Sequence, residues 1–221
     1  MASLRDRAEA GQQLAGYLND YAGHPDAIVL ALPRGGVPVA FEIAHALHLP
    51  LDVFVVRKLG VPGHEELAMG AIASGGAYIV DPFTLETAHV DRGALERTLQ
   101  REAAEVKRRS TAYRDDRPEP VLAQKSVIVV DDGLATGASM YVAVQALRTR
   151  HPASIVIAVP VAPVETIEWL RGIADRVICP HQFVRFGAVG LHYINFNEVT
   201  DDEVRALLAR GENERATWSI A

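Results

Sequence analysis

The stretch Ser126 to Met140, SVIVVDDGLATGASM, constrains the fold of this chain more than any other. Val127 to Val130 are four consecutive β-branched apolar residues, which predict a strand buried on both faces. Asp131 and Asp132 follow at the carboxyl end of that strand. Gly133, Ala135, Thr136, Gly137, Ala138 and Ser139 then lead, with small or hydroxylated side chains, into a helix beginning near Ala138. A helix N-terminus presents free N–H groups and the positive end of its dipole, so the loop favours a phosphate, with the Thr136 and Ser139 hydroxyls as further donors. Carboxylates repel a phosphate beside them. Asp131 and Asp132 are therefore assigned to the hydroxyls of a sugar, and to Mg²⁺ held directly or through water. The stretch as a whole predicts a sugar-phosphate site.

Competing motifs fail on residue identity. A Walker loop needs a Lys before its Ser/Thr, and Ala138 precedes Ser139. A dinucleotide fingerprint needs three glycines at its own spacing and has no acidic pair before the loop. An αβ turn whose Asp and Thr merely cap a helix is the plain alternative. The run VIVVDDGLATGAS strongly resembles the phosphoribosyl-pyrophosphate-binding motif of type I phosphoribosyltransferases: an apolar strand, two acidic residues, then a loop ending Ala-Thr-Gly-x-Ser/Thr.

The remaining composition is compatible with that class. At 221 residues and 49% hydrophobic, the chain is long enough for one well-cored α/β domain with an elaboration. A net charge of −6 offers no basic excess to neutralise nucleic-acid phosphates or an acidic membrane surface. The single cysteine, Cys179, excludes an intrachain disulfide framework, suits a reducing cytoplasm and reads as a small apolar residue at a strand end. The N-terminal stretch MASLRDRAEAGQQLA is charged and helical, without the apolar centre of a signal peptide, and no apolar run reaches membrane-spanning length.

In chain order, Leu4 to Tyr17 has helical spacing of apolar and small residues. Ala27 to Leu32 predicts the first core strand, feeding Pro33-Arg34-Gly35-Gly36 and an apolar helix over Val37 to Leu47. Two glycines there let the backbone approach a ligand, and the helix start offers a second anion site. Leu51 to Val56 predicts a second strand closed by the cations Arg57 and Lys58. About seventy residues then precede the strand at Ser126, too many for a simple crossover. They divide into a mobile loop over Gly60 to Leu67, a hairpin of Ala68–Ala73 and Ala77–Asp81 joined by Ser74-Gly75-Gly76, and a long helix over Asp91 to Tyr113. Beyond the central stretch, Tyr141 to Thr149 continues its helix. Ser154 to Val159 predicts a strand, Val164 to Ile173 a helix, Arg176 to Cys179 a short strand, and Asp201 to Ala209 a helix capped by Thr200 or Asp201. This alternation supports a mostly parallel sheet with right-handed crossovers. Cys179 to Asn197 concentrates aromatics (Phe183, Phe186, Tyr193, Phe196) that suit stacking on a planar base, or a satellite cluster covering a sheet edge.

The resemblance covers about Ala27 to Cys179, and PRGG is similar to the Ser-Arg-Gly-Gly pyrophosphate loop of the family, which often has an unusual backbone conformation. It implies an α/β fold: a mostly parallel twisted sheet flanked by helices, with a flexible loop and hairpin insertion and a small C-terminal hood. The chain is then one domain, with its core at about 27–59 and 121–180, the loop, hairpin and long helix at about 60–113, and hood elements at about 180–221. The implied chemistry is Mg²⁺-dependent transfer of a phosphoribosyl group from phosphoribosyl pyrophosphate to a nitrogenous base in the cytoplasm, as in nucleotide salvage. Ribose and 5′-phosphate go to Asp131, Asp132, Gly133 and Ala135 to Ser139; pyrophosphate goes to Arg34, Gly35 and Gly36; and Asp131, Asp132, Arg57 and Lys58 are the catalytic set. Phe186 and Tyr193 are the base-binding candidates. His64, Glu65 and Glu66 are placed to reach the site when the loop closes, and Glu65, Glu66 and His192 are candidates for a general acid or base. Ala135 stands where 6-oxopurine enzymes commonly carry an Asp, which leans toward adenine, uracil and orotate types, while PRGG leans toward the xanthine-guanine type. A homodimer is the family's frequent assembly; no nucleic-acid or membrane partner is expected. Two other readings stay open: a regulator that binds phosphoribosyl pyrophosphate without transferring it, and a same-fold enzyme acting on another ribose phosphate.

Overall fold

The computed structural model describes residues 4–115 and 117–218. Residues 1–3 of the N-terminal stretch, Asp116, and residues 219–221 of the C-terminal hood stretch lie outside the described residues. Five strands, β1 (Ala27–Ala31), β2 (Leu51–Val53), β6 (Ser126–Val130), β7 (Ser154–Ala158) and β9 (Arg176–Ile178), form a parallel sheet in the order β2-β1-β6-β7-β9. β1 and β6 pair in register from Ala27↔Ser126 to Ala31↔Val130. The chain proceeds outward from β1 to β2 on one side and from β6 to β7 and β9 on the other. The strand order therefore reverses between β1 and β6, where open α/β sheets bind ligands at their carboxyl ends.

The apolar runs follow from two buried faces. Val29, Ile128, Val130 and Val156 join the core beneath α1 (Arg7–Tyr17), α2 (Gly36–Leu47) and α7 (Asp201–Trp218). Leu30, Val127, Val129 and Ile157 alternate with them and pack under α5 (Ala138–Arg148) and α6 (Val164–Leu170). α1 begins where Asp6 accepts the Glu9 N–H at 2.9 Å. α7 begins with Thr200 and Glu203 bonding each other's backbone N–H groups, a reciprocal cap. It runs to Trp218, well past the expected Ala209.

Two expectations are corrected. The second core strand ends at Val53 rather than Val56, because the chain turns out of the parallel sheet at Phe54 and Val56 opens a different one. Residues Gly60 to Leu67 form no loop: β3 (Val56–Val61) and β4 (His64–Ala73) are an antiparallel ribbon turned at Pro62-Gly63, with bulges at Leu59/Gly60 and Gly60/Val61. Gly63, at φ +80°, supplies the left-handed turn residue. The polar run His64-Glu65-Glu66 hides the strand because both faces of the ribbon tip meet solvent. The expected hairpin is present as β4 and β5 (Tyr78–Val80), followed by a short helix α3 (Pro82–Thr87) that sequence patterning passed over, and by α4 (Arg92–Arg114). Short strands β8 (Val161–Pro163) and β10 (His181–Phe183) pair in parallel beside the hood. Among the described residues, no helix is long and apolar enough to cross a membrane.

Candidate active site

The site is built where β6 and β1 end side by side. Asp131 and Asp132 leave the sheet together, and the Asp132 N–H donates to Asp131 Oδ1 at 2.8 Å. Gly133 follows at φ +156°, and a Cβ there would meet Val189 Cγ1 at 2.6 Å and Val161 Cγ2 at 2.7 Å. Glycine is required on both counts. Thr166 Oγ1 donates to the Ala135 carbonyl at 3.0 Å and holds the loop from below. Gly137, at φ +73°, turns the chain into α5. Ala135, Thr136, Ala138 and Ser139 are exposed, so the start of α5 is open to a ligand.

The loop after β1 closes on this one. Its Pro33–Arg34 peptide bond is cis. A Cβ on Gly35 would collide with Asp132 Oδ2, and one on Gly36 would stand 2.6 Å from the Val130 carbonyl oxygen and 3.0 Å from Asp131 Cα. Gly35 has an ordinary helical conformation (φ −59°, ψ −33°), so its requirement is space, not backbone freedom. The two loops marked out by sequence thus touch through the acidic pair. Arg34 extends outward, its Nη2 at 2.5 Å from Glu198 Oε1.

The pair is electrostatically tense. Burial, reinforced by the neighbouring Asp132 charge, pushes the Asp131 carboxyl well above the ordinary carboxylate range. Burial also raises Asp132, opposed by Arg7. Arg7 Nε donates to Asp132 Oδ2 at 2.8 Å, with the two side chains only 12% and 13% exposed. Sequence reasoning missed Arg7: it sits in the first turn of a surface helix, 125 residues from its partner. Among the described residues no cluster of three or more His, Cys, Asp or Glu side chains is arranged to hold a metal. The two carboxylates offer hard oxygen donors that suit Mg²⁺ only if a ligand completes the shell.

Other candidate residues fall in different places. Arg57 and Lys58 lie on β3, at the root of the ribbon. With Glu65, Arg101, Glu102 and Ser139 they line a cleft of about 360 Å³, so the ribbon cations face the first turn of α5. Glu102, almost buried, bridges Arg57 Nε at 2.6 Å and Arg101 Nε at 2.9 Å. The Glu65 carboxyl is held below its ordinary value, mainly by its own backbone N–H and that of Gly63, which disfavours it as a proton carrier near neutrality. His64 and Glu66 are exposed on the ribbon. His192 is buried between Phe183 and Phe186, with ring centroids at 4.2 and 4.6 Å, and its Nε2 lies 3.0 Å from the Phe186 carbonyl oxygen. Tyr193 is buried and its hydroxyl donates to the Asp132 carbonyl at 2.6 Å. Cys179 is buried too, its thiol pushed up to about 12 by burial, which suits packing rather than nucleophilic chemistry. A larger cavity of about 560 Å³ lies between the β4–β5 turn and α4 and includes none of the motif residues.

Known proteins align with this arrangement. The family model described as phosphoribosyl transferase domain matches residues 5–193. Two curated proteins of Mycobacterium tuberculosis, from strains CDC 1551 / Oshkosh and ATCC 25618 / H37Rv, are each provisionally named a phosphoribosyl transferase. Each is 42% identical over 216 residues, covering 98% of this chain and 48% of its own length. The chain therefore spans about half the length of the curated relatives it matches. The crystal structure of TT1426 from Thermus thermophilus superposes with a TM-score of 0.81 at 41% identity, covering 94% of this chain and 98% of that one. With the family model matched over most of its length, the chain belongs to the phosphoribosyl transferase domain family.

Proposed function

We propose that the chain, read as one domain, is a Mg²⁺-dependent phosphoribosyltransferase that moves the phosphoribosyl group of phosphoribosyl pyrophosphate onto a nitrogen of a planar base and releases pyrophosphate. The observation that carries this reading is the contact between the two loops: Gly35 and Gly36 abut Asp132 and Asp131 at the point where strand order reverses. A ligand lying across that contact spans a helix start on either side, with carboxylates between. This charge pattern fits a sugar carrying phosphate at one end and pyrophosphate at the other.

Asp131 and Asp132 accept the ribose hydroxyls. Gly133 and Ala135 to Ser139 cradle the 5′-phosphate, and Arg34, Gly35 and Gly36 receive pyrophosphate. Arg57 and Lys58 supply the cations that offset charge on the departing group. Displacement at C1 passes through a transition state of oxocarbenium character, so the protein's share is to hold the ribose, neutralise the leaving group and exclude water. Asp131 and Asp132 would hold Mg²⁺, directly or through water, and the ion would supply charge neutralisation at pyrophosphate. On the acceptor side, Phe186 and Tyr193 are read as backing: the Phe186 ring is stacked on His192 and Tyr193 is turned inward, while the neighbouring Phe196 is the more open ring.

Calorimetric titration with phosphoribosyl pyrophosphate, with and without Mg²⁺, tests the proposal, followed by a screen of free bases for pyrophosphate release. Magnesium-dependent binding is expected. Binding of ribose 5-phosphate without binding of phosphoribosyl pyrophosphate would sink it.

A further inference from the structure

The two carboxylates of the pair are held differently. Asp131 accepts a bond from the backbone, whereas Asp132 depends on a side chain from the other end of the chain. Asp132 Oδ2 lies between Arg7 Nε, at 2.8 Å, and Gly35, which has no room for a Cβ. The carboxyl also interacts with that of Asp131 beside it, so Arg7 is the charge that sets its orientation.

Arg7 is itself fixed on three sides. Nη1 donates to the Asn197 carbonyl at 2.7 Å, and Cζ sits 3.9 Å above the Phe196 ring. The residues just before it are stitched to the hood. Leu4 N donates to the His192 carbonyl at 2.9 Å, Ile194 N to that of Leu4 at 2.8 Å, and Asn195 N to that of Arg5 at 2.8 Å. A planar guanidinium bonded to two acceptors and stacked on a ring has little freedom to turn. A nearly buried ion pair with a purely structural role is replaceable by apolar packing. This one instead terminates on the carboxylate that abuts the second loop.

We propose that Arg7 is a positioning residue: it holds the Asp132 carboxylate in the orientation that receives a ribose hydroxyl, and does not itself contact substrate. The inference rests on the sugar-phosphate reading of the site. It predicts a selective defect. Loss of Arg7 should weaken ligands that contain ribose and spare pyrophosphate, which binds on the other loop.

The test titrates the full chain, as wild type, Arg7→Ala and Arg7→Lys, with ribose 5-phosphate and with pyrophosphate, both without Mg²⁺, alongside melting temperatures. For Arg7→Ala, ribose 5-phosphate affinity should fall about tenfold or more, the loss of one charge-assisted bond, while pyrophosphate affinity stays within about twofold. Millimolar guanidinium, below denaturing levels, should restore part of the loss. Arg7→Lys, which keeps the charge but not the fork, should lie between. Equal losses for both ligands, or no loss for ribose 5-phosphate, overturn the inference. If Arg7→Ala does not fold, wild-type ribose 5-phosphate affinity in Arg7→Lys overturns it as well. A wild type that binds neither ligand refutes the functional reading itself, a result separate from either variant's behaviour.

Discussion

The parallel core and the antiparallel ribbon place their candidate residues by opposite means. In the core, β1 is buried along its whole length and β6 almost so, and the acidic pair and both glycine-bearing turns project from strand ends that cannot shift without disturbing both faces. In the ribbon, the first five residues of β4 are exposed, and Arg57 and Lys58 sit where it leaves the body of the protein. Rigid burial suits groups that must meet a ribose with fixed geometry. The ribbon is exposed only at its tip; beside Arg57 and Lys58 it is packed, with Leu59 and Val61 buried and Arg57 tied to Glu102, so what can follow a ligand there is side chain rather than backbone. On the proposed reading the difference separates geometry from charge: one region would supply the frame, the other the neutralising groups.

The comparison can be broken at its strongest point first. Ile128→Ala, at a fully buried β6 position, should destabilise the fold by about 2–5 kcal/mol, read by denaturant unfolding. Gly35→Ala should leave the fold in place and weaken phosphoribosyl pyrophosphate binding by about a hundredfold, because its Cβ would collide with Asp132 Oδ2 and displace the carboxylate. Wild-type affinity in that variant would detach the two loops from a common ligand.

Asp131→Asn sharpens the same point through electrostatics. A carboxyl whose value is raised on folding binds its proton more tightly when folded. Its contribution is therefore full below the ordinary carboxylate value of about 4 and is lost as pH rises through the raised one. Above the ordinary carboxylate range the group therefore weakens the free protein. The variant should melt higher than wild type at pH 7, by a margin that shrinks as pH falls, while losing phosphoribosyl pyrophosphate binding. A variant that melts lower at every pH would contradict this account.

On the ribbon the effects should be smaller. Lys58→Met should weaken phosphoribosyl pyrophosphate by about tenfold at low salt, less at high salt, and leave ribose 5-phosphate unchanged. An equal loss for both ligands would place Lys58 at the sugar instead. Leu67→Ala, at a half-exposed position, should alter stability by no more than about 0.5 kcal/mol. A core-sized loss there would end the distinction between the two regions.

Local pattern was legible wherever one segment carries its own signal. Four β-branched residues announce a buried strand, and VIVVDDGLATGAS resembles one phosphate loop closely enough to name a family before any coordinates. The ribbon was half legible. Pro62-Gly63 is a turn signal, yet His64, Glu65 and Glu66 showed no alternation, since neither face of the tip is buried and nothing selects a period. Tyr193 read as a base platform because sequence shows an aromatic residue near a site but not the direction of its ring; the structure turns it inward onto the Asp132 carbonyl.

What sequence alone determined, then, is the strands and helices of the parallel core and the long helix beside it, because strand and helix periods and turn residues act within a few positions of one another. Tertiary structure decided which loops meet. β1 and β6 are neighbours although about a hundred residues separate them, and Arg7 reaches Asp132 across 125. Such pairings arise when the sheet closes and buried charge must find a partner, a condition imposed by burial and invisible to local spacing.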